Sequence, residues 1–158
     1  MQKFTICFIR QDKNILLLNR DHPRWMGSWN GVGGKIEKGE SPNICILREV
    51  IEETGIKLSN IKYKGTINRI IDNNKTGEIY AFVSDLPTDY IFNTPIKISE
   101  GILDWKEVSW ILHPQNTGIA SDVPYFLPTM LQDDNEYEYL CVFHKDTIID
   151  FSKKIIIS

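Results

Sequence analysis

Two short apolar runs, residues 3–10 and 14–19, flank the polar turn Gln11-Asp12-Lys13 and predict a pair of strands. Residues 20–29, polar and aromatic with a proline and a glycine, read as a loop that leads into Asn30-Gly31-Val32-Gly33-Gly34. The pattern then changes period. Ser41 suits an N-cap, Pro42 suits the first helical position and Gly55 suits the left-handed residue past the end, so a helix is expected over 41–54. Ile56 is expected to fold back onto Ile51. At about 100° per residue, Ile44, Leu47, Val50, Ile51 and Thr54 fall on one side and Glu49, Glu52 and Glu53 on the other, placing core and chemistry on opposite faces.

Beyond the helix, residues 61–72 and 78–84 read as strands around the turn residues 73–77, residues 86–95 as a loop broken by Pro87 and Pro95, and residues 98–105 as a strand. Short helices are expected over 106–112 and 124–132. A last hairpin joins 137–143 to 147–151 through a turn at 144–146. The order of elements gives an α+β chain.

The 158 residues are 42% hydrophobic, enough for one domain with a sizeable core over residues 1–158 and too short for two comfortable ones. A net charge of −3 argues against a surface that attracts nucleic acid by its overall field, so no stable nucleic-acid partner is expected. Cys7, Cys45 and Cys141 are odd in number and lack CxxC spacing, and His22, His113 and His144 are isolated, which suggests buried reduced thiols and neither a disulfide framework nor a zinc site. The start has too short an apolar run for a secretory signal, and no stretch approaches the ~18 apolar residues of a membrane span. No membrane partner and a cytoplasmic location follow as expectations.

The helix carries the chemistry. Glu49, Glu52 and Glu53 at i, i+3 and i+4 set like charges side by side, which costs a few tenths of a kcal/mol per pair in an isolated helix. A cation is needed to offset them. Hard divalent ions take oxygen ligands, and Mg²⁺ uses few carboxylates, keeps waters and completes its shell with substrate phosphates. Three glycines among residues 31–34 let backbone approach a ligand closely, but neither the GK[ST] of a P-loop nor a GxGxxG is present.

The spacing of Gly34, Glu40, Arg48-Glu49-Val50, Glu52-Glu53 and Gly55-Ile56 resembles the complete Nudix box. That resemblance implies an α/β/α sandwich with a mixed, curved central sheet and a hydrolase of nucleoside diphosphates linked to a further group, dependent on Mg²⁺ or Mn²⁺. It implies Glu52 and Glu53 as metal ligands, Glu49 as a ligand or the base that prepares the attacking water, and the Gly33 carbonyl as a backbone ligand. Arg48 would orient the glutamates by pairing with one of them, Glu40 among the candidates.

Trp29-Asn30-Gly31-Val32-Gly33-Gly34-Lys35 is similar to the WNGxGGK segment of the MutT-like enzymes that clear oxidised purine nucleoside triphosphates. On that resemblance Asn30 reads the purine edge, its amide offering donor and acceptor together, or else braces the glycine turn. Lys35 is a candidate phosphate contact. Residues 98–105 look like the EGxLxW strand of the same enzymes, with Glu100 a candidate further metal ligand. Residues 121–128 and 146–151 look like the carboxy-terminal part of the mammalian type, which makes Asp122 a candidate base reader.

Two departures stand out: Ala120 replaces the tryptophan that stacks on the purine, and Val123 replaces a second aspartate. Trp25, Trp29, Tyr125 and Phe126 are the candidate replacement stackers. The ADP-ribose hydrolases of the family carry a proline about fifteen residues past the box, whereas here none occurs between Ile56 and Pro87. The expectation is Mg²⁺-dependent hydrolysis of a nucleoside triphosphate, 8-oxo-dGTP or another oxidised purine dNTP, to the monophosphate and pyrophosphate, serving sanitation of the nucleotide pool, by a monomer or homodimer. The alternatives are a broader pyrophosphatase acting on dNTPs, dinucleoside polyphosphates or capped RNA, and a nucleotide-sensing domain without hydrolysis, against which the intact box argues.

Overall fold

The first apolar run becomes β1 (Lys3–Gln11), the strand on which the rest is built. Its side chains alternate between two cores: Ile6 and Phe8 point into one, Cys7 and Ile9 into the other. A strand buried on both faces reads as continuously apolar. β2 (Asn14–Arg20) pairs antiparallel to it after a turn at Asp12, and β5 (Asn74–Asp85) pairs parallel along its length, from Lys3 opposite Glu78 to Arg10 opposite Asp85.

With β3 (Trp29–Asn30), β4 (Lys62–Ile71), β6 (Ile96–Ile98), β7 (Gly101–Glu107), β8 (Tyr137–His144) and β9 (Thr147–Ile155), these strands form one mixed nine-stranded sheet. Its order is β6-β7-β2-β1-β5-β4-β8-β9, with β3 added beside β2. Register shifts after Tyr63 and Asn68 put bulges into β4, which bend a strand and increase its twist. This computed structural model describes residues 2–23 and 25–157; Arg24, within the expected 20–29 loop, lies outside the described residues, as do residues 1 and 158.

Helix α1 (Pro42–Thr54) covers one face through Ile46 and Val50, packed in one cluster with Cys7, Leu16, Val32 and Phe82. The short α2 (Val108–Ile111) and α3 (Val123–Gln132) cover the other, where Phe126, Leu127 and Met130 share a core with Phe8, Ile67, Tyr139 and Phe143. The result is the α/β/α sandwich with a mixed central sheet. All three cysteines are buried and unpaired, as expected. Among the described residues no helix is long and apolar enough to cross a membrane.

Several boundaries move. The β4–β5 turn is Asp72-Asn73, both at positive φ (50° and 69°), a two-residue reversal that Asp and Asn tolerate, so residues 74–77 join β5 instead of a loop. Lys106 and Glu107 continue β7 because Asn14 and Ile15 of β2 are there to pair with them, leaving a four-residue α2. The expected 98–105 strand is a hairpin: Ile98 ends β6 and pairs with Gly101 at the start of β7, so Glu100 sits on the turn. Tyr137 opposite Ile155 extends β9 past residue 151.

The buried face of α1 is also rotated from the expected one. Ile44 and Ile51 are exposed, while Cys45, Ile46, Val50 and Glu53 face inward and Ile56 enters their core. The sheet meets the helix along the row 46-50-53, so Glu53 belongs to the inner side.

Candidate active site

The caps of α1 are the expected ones: the Ser41 hydroxyl accepts from the Ile44 N–H, and Gly55, at φ 76°, donates its N–H to the Ile51 carbonyl. They fix which residues of the helix meet the glycine segment. That segment is pinned to β1, with Thr5 N–H donating to the Gly34 carbonyl at 2.8 Å and Cys7 N–H to the Val32 carbonyl at 2.7 Å.

Arg48 is the hub of the acidic face. Its Nε and Nη2 grip both oxygens of Glu40 at 2.5 and 2.9 Å, and its Nη1 reaches Glu49 at 3.0 Å and Glu52 at 3.2 Å. Hydrogen bonding by Arg48, then by the Glu37 N–H, holds the Glu40 carboxyl down at about 2. Arg48 therefore pairs with Glu40, one of the partners the resemblance allowed, and turns its remaining edge to Glu49 and Glu52.

Glu53 lies inside, its Oε1 accepting from the Gly33 N–H at 3.0 Å. Burial pushes its carboxyl up to about 8 against that hydrogen bond, with the charges of Glu49, Glu100 and Glu52 adding to the rise. Burial also raises Glu49, with Glu52 and Glu100 contributing and Arg48 opposing. Glu100, on its β-turn, is thus brought into the same electrostatic group. Glu49, Glu52, Glu53 and Glu100 line one cavity together with Glu37, and Arg48 is already shared with Glu40. Such a cluster is relieved by protonation, as at Glu53, or by a bound cation.

The donor set, all carboxylate oxygen, fits a hard divalent ion. Among the described residues no group of three or more acidic, His or Cys side chains is gathered closely enough to hold a metal ion by itself. The acids instead border an open cavity, which leaves room for waters and phosphate oxygens in the shell.

Backbone makes that approach feasible. Gly33 has φ 154°, and a Cβ there would lie 2.1 Å from the Thr5 carbonyl oxygen; one on Gly34 would lie 2.5 Å from the Glu49 carboxyl. Gly33→Ala is expected to cost more than about 1 kcal/mol and, by displacing the N–H that holds Glu53, to weaken metal-dependent activity. Urea unfolding together with an Mg²⁺ titration checks this; wild-type behaviour in both would mean that the segment adjusts freely.

The same cavity, about 670 Å³, is also lined by Lys35, Arg20 and Asn30 and by Phe4, Ile6, Trp25, Ile71 and Ile79. Asn30 lines it while its Oδ1 accepts from the Gly31 N–H at 2.8 Å, which braces the glycine turn and leaves the amide NH₂ as its donor. Trp25, at φ 68°, meets Phe143 edge-on at 5.3 Å and carries the Arg69 guanidinium over one ring face at 5.4 Å.

Other sequence candidates lie elsewhere. Trp29 is clamped under Lys106, 4.5 Å from its centroid, and outside the cavity lining. Phe126 is fully buried between Phe8 and Tyr139, because the apolar row of α3 faces the sheet. Tyr125 is exposed beside Phe151.

Asp122 requires a correction: it is fully buried, and both its oxygens accept from Arg69, from Nε at 2.7 Å and Nη2 at 3.2 Å. It does not line the cavity, whereas Arg69 does. The sequence carried a signal for Arg69 that went unread. Ile67, Arg69 and Ile71 share one strand face by period two, and all are buried. A charge in an inward row requires a buried counter-charge or a ligand. Arg20, at the end of β2, was also missed; it lines the same cavity.

The NUDIX domain model matches residues 2–126. The uncharacterized Nudix hydrolase YvcI of Bacillus subtilis is 32% identical over 139 residues, covering 84% of this chain and 80% of its own. An oxidized purine nucleoside triphosphate hydrolase of mouse is 24% identical over 150 residues, covering 94% and 92%. Among solved structures, a mutator MutT protein from Bacillus halodurans superposes with a TM-score of 0.78 at 26% identity, covering 97% of each chain.

Proposed function

Because the chain belongs to the Nudix hydrolase family, we propose that its substrate is a nucleoside triphosphate of the cytoplasmic pool, an oxidised purine deoxynucleotide such as 8-oxo-dGTP first among them, cleaved to the monophosphate and pyrophosphate. The observation that carries this is a single cavity lined by clustered carboxylates and also by apolar side chains and Asn30. A triphosphate suits such a site, its phosphates at the acids and its base against the apolar side chains. The mouse relative named above, similar over nearly the whole chain, acts on substrates of this class by its name.

Glu49, Glu52, Glu53 and the Gly33 carbonyl, with Glu100 on the facing turn, would hold Mg²⁺ or Mn²⁺, which supplies charge to offset the phosphates and acidifies water. The chain's own residues do the rest. Arg48, anchored by the Glu40 fork, fixes the carboxyls of Glu49 and Glu52 so that neither rotates away. Glu49, half-withdrawn from solvent and raised in pKa, takes the proton of the water that attacks the β-phosphorus. Lys35 and Arg20 meet phosphate oxygens. Gly33 keeps Glu53 turned inward through its N–H.

A broader pyrophosphatase, acting on ordinary dNTPs, dinucleoside polyphosphates or capped RNA, is favoured by one observation: Asp122 is sequestered by Arg69, and Ala120 offers no stacking face. Pyrophosphate release with and without Mg²⁺, over 8-oxo-dGTP, dGTP, the other dNTPs, ADP-ribose and a diadenosine polyphosphate, separates the readings. A strong kcat/KM preference for 8-oxo-dGTP supports the first and flat activity the second. Absence of turnover on every compound would overturn both in favour of a sensing domain.

A further inference from the structure

The cavity is lined by a charged group that the reaction does not use. Arg69 sits in an inward-facing strand row, is 9% exposed, and still borders the cavity. Its Nε and Nη2 are fixed on the two oxygens of Asp122, and its guanidinium plane lies over Trp25. Of the five N–H donors of a guanidinium, two are used in that fork. Nη1 takes no part in it. A planar group clamped on one edge by a buried carboxylate and on one face by an indole cannot swing away, so its position is set before any ligand arrives.

We propose that Arg69, positioned by Asp122, reads the base, and that the pocket takes purines with a carbonyl at C6 in preference to those with an amino group there. This rests on the cavity being a nucleoside triphosphate site. The chemistry follows from donors alone. Arg69 can only donate, and Asn30, whose Oδ1 already accepts from the Gly31 N–H, keeps both N–H groups of its amide as donors. A donor-lined edge matches the O6 acceptor shared by guanine, hypoxanthine and 8-oxoguanine, and opposes the N6 amino group of adenine. Asp122 acts through Arg69 without touching the base itself, which is the reverse of an acceptor reading the purine directly.

The test is equilibrium binding of dGMP, dIMP and dAMP to the intact chain in Mg²⁺ buffer by calorimetry, beside kcat/KM for dGTP, dITP and dATP. The wild type should bind dGMP and dIMP at least roughly tenfold tighter than dAMP. Arg69→Lys, which keeps the charge and loses the planar fork, and the volume-matched double variant Arg69→Met/Asp122→Leu, which removes the pair as a unit, should bring that ratio close to one. Thermal melts identify which variants are folded.

Equal affinities in the wild type, no binding of any monophosphate, or an unchanged ratio in a folded variant would overturn the assignment. The two levels of inference separate cleanly. Selective dGMP binding without turnover of any triphosphate would remove the proposed function and keep the base reader. Turnover with no C6 preference would keep the function and remove Arg69 from it.

Discussion

Glu53→Gln is expected to leave a folded protein whose metal-dependent turnover falls by several orders of magnitude. The glutamine keeps the shape and the oxygen that accepts from the Gly33 N–H, so the close contact between the helix and the glycine segment survives. What disappears is the negative charge that only a bound cation makes favourable at so buried a position.

The stability consequence has a definite sign. The folded-state pKa of Glu53 is raised from 4.5 to about 8, so folding favours the protonated acid. Its contribution to stability is fully present below the unfolded value and is lost as the pH rises through about 8. In chelator, the wild type should therefore lose stability between pH 4.5 and pH 8 relative to Glu53→Gln, whose neutral amide does not titrate. Because ligation requires the carboxylate, metal binding should release a proton and its apparent affinity should rise over the same window. Melting curves of both proteins at the two pH values, with and without Mg²⁺, and pyrophosphate release check the set. Near wild-type turnover in the variant would refute the assigned site.

Asp122→Ala is expected to be strongly destabilising. It leaves the Arg69 guanidinium buried without its carboxylate, and breaking a buried pair from one side costs about 3–5 kcal/mol. For a chain of this length that corresponds to a fall in Tm of roughly 6–20 °C. Replacing both partners with apolar residues of similar volume should recover most of the loss, since the desolvation penalty disappears with the charges. Thermal or urea unfolding of the single and double variants measures this. An Asp122→Ala protein as stable as the wild type would mean that water or another group satisfies Arg69, and would remove the clamp on which its orientation depends.

Much of the site was legible because it is local in sequence. Ser41, Pro42 and Gly55 fix the helix through contacts a few residues long, and the spacing of Glu49, Glu52 and Glu53 follows from the helical period alone. The spacing from Gly34 to Ile56 places the same acids beside the glycine segment. The glycine segment does pack closely, against Thr5 and Glu49, and Glu40, one of the partners the resemblance allowed for Arg48, is the one with which it makes its two-pronged contact.

The readings that failed were those that depended on direction. Ile44 and Ile51 have the composition of a core face, but the sheet meets α1 one step around the helix and draws in Glu53 instead. Phe126 and Trp29 are aromatic in the right region and share a core with the cavity's apolar side chains, yet neither lines the cavity itself.

The sequence by itself therefore determined the helix, its caps, the acidic cluster and the β1–β2 pair, all held by interactions within a turn or a hairpin. Only the tertiary structure decided that Arg69 lines the cavity. Arg69 on β4 and Asp122 at the start of α3 are 53 residues apart. Which of two opposite charges lines the cavity is settled by strand register and by the layer that covers each face. Those are properties of the whole sheet: a shift of one residue in β4 would turn Arg69 to the other side, and no spacing in the chain records it.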